Sequence, residues 1–155
     1  MNCKFYILFF FIIGFGEVAF SQNSINYEEI KIEFTADTAR VEQNIQDLLN
    51  TDYSTAGMIE ASLEYEKQYD ALLNKYYRIL YQSLAEDGKK SLTASQLNWI
   101  KFRDSEKNLI SKINAQAYDE AGGGTIWGVI ASGSRAALTK KRVVELYNYL
   151  MYSYL

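Results

Sequence analysis

The stretch MIEASLEYEKQYDALLNKYYRILYQSLA, Met58 to Ala85, decides how this chain is read. Wound at about 100° per residue, it places Ile59, Leu63, Leu73, Tyr77, Leu80 and Leu84 along one side, the pattern of an amphipathic helix with an apolar face. Asp70 falls near the centre of that face and Asn74 about 40° to its side. An isolated buried charge costs several kcal/mol, so a carboxylate in this position calls for a partner on another element.

Working outward, TDYSTAG supplies turn and capping residues ahead of the stretch, and EDGKKS follows it with Gly88 placed as a helix terminator. LTASQLNWIKFRDSE, Leu92 to Glu106, then opens the next predicted helix. Thr93 and Gln96 form a T-x-x-Q capping box, with Leu92 and Leu97 as its hydrophobic staple. That helix is expected to run to about Ala117, before DEAGGGT interrupts it with three consecutive glycines. The last segment, TIWGVIASGSRAALTKKRVVELYNYLMYSYL, is mostly helical in pattern, with a break expected at Gly133. Upstream, INYEEIKIEF alternates Ile30, Ile32 and Phe34 with Lys31 and Glu33, a period-2 pattern with no second strand to pair with, and is expected to be an extended or loosely ordered lead-in. From Asp37 to about Asn50 the spacing of Val41, Ile45, Leu48 and Leu49 predicts a short helix. The expected fold is all-α, a small antiparallel bundle of three to four main helices in one domain, 51–155, preceded by a lead-in and short helix over 22–50.

The polar anomaly recurs. Gln96 and Arg103 lie between Trp99, Ile100 and Ile110, and Arg142 lies between Leu138 and Leu146. The reading favoured by these positions is a polar network of Asp70, Asn74, Gln96, Arg103 and Arg142 that fixes helix register, with Arg103 buried and paired to Asp70. The alternative is a ligand or catalytic site. Glu60, Glu64, Glu66 and Asp70 are the carboxylates from which a glycosidase-like pair would have to be drawn, although acidic residues at that density are ordinary on a solvated helix face. GGGTIWG has no Walker lysine and no preceding strand, so it reads as a turn, and Gly122, Gly123, Gly124, Thr125 and Trp127 form a candidate binding loop.

MNCKFYILFFFIIGFGEVAFSQ opens the chain with Lys4, an apolar run from Phe5 to Phe15, and the small residues Ala19 and Ser21 before Gln22. It reads as a secretory signal peptide over 1–21, too short in its apolar run to span a bilayer. The lone cysteine, Cys3, lies before that run, where cleavage discards it. The chain has no histidine and no proline, so a mature chain from Gln22 has no Ser-His-Asp triad, cysteine nucleophile, ordinary zinc site or disulfide. No cofactor or metal is expected. The net charge of −3 disfavours nucleic acid and suits a basic partner.

Taken together, D-x-x-L-N-x-x-Y (Asp70, Leu73, Asn74, Tyr77), Q-x-x-W-x-x-x-R-D (Gln96, Trp99, Arg103, Asp104) and the later Arg142 resemble, in order and spacing, the LprI-like lysozyme-inhibitor family of small exported bacterial proteins. The resemblance covers about Ser54 to Leu150. It implies a helical bundle in the cell envelope, non-enzymatic, with a protein partner, and inhibition of lysozyme in one branch. Many members carry cysteine where this chain has Ser62 and Lys107, a departure that sets this chain apart from the lysozyme-inhibiting branch. The expected role is an exported binding protein of this type, periplasmic or secreted, whose partner is a lysozyme or another envelope protein.

Overall fold

The computed structural model describes residues 26–152, so the signal-peptide reading lies outside the described residues. Among the described residues four helices follow one another: α1 Tyr27–Thr51, α2 Thr55–Ser83, α3 Glu86–Glu120 and α4 Ile126–Tyr152. The chain is an all-α bundle.

α1 replaces the expected extended lead-in. Tyr27, Ile30, Phe34, Val41 and Ile45 recur at helical spacing and face the core, whereas Ile32, counted in the alternating pattern, is 70% exposed. Asn26 caps the helix, its Oδ1 accepting from the Glu29 amide at 3.2 Å, and Glu28 and Glu29 complement the helix dipole. Ser54 caps α2 in the same way through the Gly57 amide.

α3 also starts earlier than expected. It begins at Glu86, with Ala85 at its cap position, and runs through Gly88 and Thr93. Thr93 is therefore no cap: its hydroxyl donates back to the Lys89 carbonyl at 2.8 Å. Gly88 does not terminate α2, since positive φ among the described residues occurs at Gly122, Gly123 and Gly124. α4 runs unbroken through Gly133.

The core sits between α2 and α4. These two run parallel and side by side: Thr55 meets Thr125 at 3.1 Å, Tyr69 and Lys140 share Glu42 of α1, and the Tyr76 and Tyr147 rings lie 6.4 Å apart. Tyr69, Tyr76, Thr139, Val143, Leu146 and Leu150 are fully buried along this seam. At its upper end the small residues Ala61, Ala131, Ser132 and Ala136 let the backbones approach. α1 lies antiparallel across the pair, stacking Phe34 on Tyr147 at 3.8 Å between ring centroids. α3 lies antiparallel to α4 on the other side and touches α2 only sparsely. Only Leu92 of α3 is buried. The buried side of α2 carries Tyr69, Leu72, Leu73, Tyr76 and Leu80, rotated by roughly 90° from the face read in the sequence. Leu63, assigned to that face, is 55% exposed.

Candidate functional site

Because α2 and α3 diverge, a groove opens between them. Asp70, Asn74 and Tyr77 come from α2 and Gln96, Trp99 and Arg103 from α3, around a cavity of about 300 Å³. Its ends are tied by the Tyr77 and Thr93 hydroxyls at 3.3 Å and by an ion pair between Glu66 and Lys107. The rotation of α2 explains why Asp70 is here: it lies at the edge of the buried face, aimed at the groove rather than at the core.

The expected pair between Asp70 and Arg103 is not made. Arg103 donates from Nε and Nη2 to Oδ1 of its neighbour Asp104, at 2.9 and 2.8 Å, and its side chain keeps 22% of its surface in solvent. The exposed Asp104 carboxylate satisfies the half-buried guanidinium beside it, which removes the need for a distant partner. Asn74 donates from Nδ2 to the Asp70 carbonyl at 2.9 Å, within its own helix.

Arg142 behaves differently. It is only 4% exposed and joins α4 to α3, donating from Nε to Gln96 Oε1 at 3.1 Å and from Nη2 to Ser95 Oγ at 3.1 Å, with Glu145 on Nη1 at 3.0 Å. Trp99 lies between the two guanidiniums, 5.3 Å from Arg103 and 5.9 Å from Arg142 to the ring centroid. Gln96 is thus brought to Arg142, while Asp70, Asn74 and Arg103 line the groove beyond.

Two further clusters, missed in the sequence, join α1 to the seam. Asp37 is buried, accepting from Lys75 at 2.5 Å, Tyr76 at 3.0 Å and Arg40 at 2.5 Å. Burial alone pushes its carboxyl up, but the hydrogen bonds from Lys75 and Tyr76 and the charges of Lys75 and Arg40 together hold it below the ordinary range. Glu42 accepts from Tyr65, Tyr69 and Lys140 and is likewise held low against burial. The helical spacing of Phe34, Asp37 and Val41 was the signal that would have found the first cluster.

Of the α2 carboxylates, Glu66 is engaged by Lys107 and Glu64 by Lys67. Hydrogen bonds from Lys67 and Gln68 hold the Glu64 carboxyl below its usual value, whereas a glycosidase acid needs the opposite shift. Among the described residues no group of three or more His, Cys, Asp or Glu is placed to hold a metal ion, and no helix is long and apolar enough to cross a membrane.

The glycine loop closes α3 and opens α4. The Gly122 and Gly123 amides turn back onto the Asp119 and Tyr118 carbonyls, at 3.2 and 2.8 Å, which requires the positive φ values of this run. Trp127 donates from Nε1 to the Gly123 carbonyl at 3.3 Å, and Thr125 reaches Thr55 of α2. Tyr118, Ile126 and Ile130 stand exposed around it.

The sequence matches the family model described as lysozyme inhibitor LprI over residues 49–146, a span that holds α2, α3, the glycine loop and most of α4. The chain belongs to the LprI lysozyme-inhibitor family. No curated protein and no solved structure matches it. Within this LprI-family bundle, the ion pair of Lys107 with Glu66 provides a charged link between α2 and α3.

Proposed function

We propose that the chain is an exported, non-enzymatic inhibitor that binds a lysozyme-type muramidase through the end of the bundle carrying Gly122, Gly123, Gly124, Thr125 and Trp127. The observation that carries this reading is the family match across the three helices that present the loop. Exposed Tyr118, Ile126 and Ile130 beside a loop held by hydrogen bonds support a protein contact there, because anchors of this kind concentrate binding energy. The net charge of −3 favours encounter with a basic partner.

The test is a cell-wall lysis assay with excess mature protein against several lysozyme classes. Slowed lysis in at least one class, relieved by Trp127→Ala and Tyr118→Ala, is expected. No slowing in any class, together with no binding by calorimetry, overturns it and leaves another envelope protein as the partner to be sought by pull-down. Export is tested separately by mass spectrometry of the protein from its native host, with an amino terminus at Gln22 expected and an intact Met1 decisive against it.

A further inference from the structure

The groove between α2 and α3 holds two opposite charges that do not meet. Among the described residues the Asp70 carboxylate has no hydrogen-bond or ion-pair partner, and only its main-chain carbonyl is used, by Asn74. Facing the same cavity, Arg103 is held by exposed Asp104 through Nε and Nη2, with Nη1 left over.

The side-chain amides sort the free groups by wall. A guanidinium has no acceptor, so buried Arg142 compels Gln96 to present Oε1 to it and to leave the Nε2 amide as a free donor. Asn74 spends its Nδ2 on the Asp70 carbonyl, which leaves Oδ1 as a free acceptor. The α2 wall therefore offers acceptors, Asp70 and Asn74, and the α3 wall offers donors, Gln96 and Arg103. A lone anion here would meet Asp70, and a lone cation would meet Arg103. A ligand carrying both charges satisfies both walls.

We propose that this groove binds a small zwitterion of the α-amino acid type, its ammonium on Asp70 and Asn74 and its carboxylate on Arg103 and Gln96. The cavity of about 300 Å³ stands at the lower end of small-molecule sites, a size suited to one amino acid. Leu73, Leu97 and Ile100 give its side chain an apolar wall, beside Trp99. Releasing Arg103 from Asp104 costs little, because Asp104 is exposed and water can take the place of the guanidinium on its carboxylate. The site lies about 22 Å along α2 from Thr55 and the glycine loop, and so is independent of the proposed lysozyme contact.

The experiment is calorimetric titration of the mature protein with L- and D-alanine and L-leucine, and with the N-acetyl and amide derivatives of each. The free amino acids are expected to bind at least about tenfold more tightly than either derivative, since each derivative deletes one charged arm. Asp70→Asn is expected to erase the preference over the N-acetyl compound alone, and Arg103→Met the preference over the amide alone, with both variants folded by circular dichroism. A general folding defect does not produce that separation. No heat from any amino acid at millimolar concentration, equal binding of the derivatives, or preferential binding of a neutral saccharide overturns the proposal.

Discussion

Arg142 and Arg103 are both arginines on the sides of helices, and their surroundings assign them opposite weights. Arg142 is buried and makes three side-chain hydrogen bonds, two of them to another helix, whereas Arg103 hydrogen-bonds only to the next residue in the chain. Arg142→Met is expected to cost about 2 kcal/mol or more, through lost charge-assisted bonds and a loosened contact between α3 and α4. Arg103→Met is expected to change stability by under about 0.5 kcal/mol. Urea unfolding of the two variants measures both, and a loss of more than 2 kcal/mol in Arg103→Met would reinstate a structural role for that residue. The sequence marks both arginines as out of place on an apolar side but does not say which is covered. Covering depends on the rotation of each helix about its axis, and the choice between Leu63 and Tyr69 as core residue shifts that rotation. Tyrosine hides this choice because its ring packs in the core while its hydroxyl finds a carboxylate, as Tyr69 does with Glu42.

Helices α1 and α2 meet through a turn in which Gly57 is buried, and a methyl group at that position would lie 2.5 Å from Asp52 Cγ and closer still to the Asp52 carbonyl oxygen. Gly57→Ala is therefore expected to destabilise by about 1 to 3 kcal/mol, despite the better helix propensity of alanine. Gly133, inside α4, has nothing within 4 Å of an added methyl, so Gly133→Ala is expected to stabilise by about 0.5 to 1 kcal/mol. Thermal unfolding of the pair tests both signs. α3 offers a third test, because its single buried residue, Leu92, lies near its start. Hydrogen exchange should therefore find the amides beyond Asp104 opening before those of α2 and α4, and uniform protection would show that α3 belongs to the same cooperative unit. Helix existence was legible from periodicity in α2, α3, α4 and the part of α1 from Asp37 onward. Two boundaries were not. Ile30, Ile32 and Phe34 fit a period of two as well as part of a helix, and only the wider run from Tyr27 to Ile45 separates them. T-x-x-Q at Thr93 is a capping pattern that tertiary context carried into a helix interior.

Across the molecule, two carboxylates tie α1 to the α2 and α4 seam, and both are held ionised below their ordinary values of 3.8 for Asp37 and 4.5 for Glu42. A folded value below the unfolded one means the stabilisation is complete above those ordinary values and disappears as pH falls through the lowered folded values. Stability is thus expected to hold from neutral pH down to about pH 4.5 and then to fall, with a shallower acid decline in Asp37→Asn and Glu42→Gln. Urea midpoints across that range are the measurement, and an unchanged slope in both variants would assign acid sensitivity elsewhere. Family membership was legible because the spacing of Asp70, Asn74, Gln96, Trp99 and Arg103 survives as sequence, whereas the groove these residues line exists only because α2 and α3 diverge. The same divergence, with α2 seated on α4 instead, has a kinetic consequence. The main core closes only when two segments separated by the whole of α3 find each other, so the entropy of closing that long loop precedes most of the burial. Such a bundle should fold more slowly than one whose successive helices zip together as neighbours.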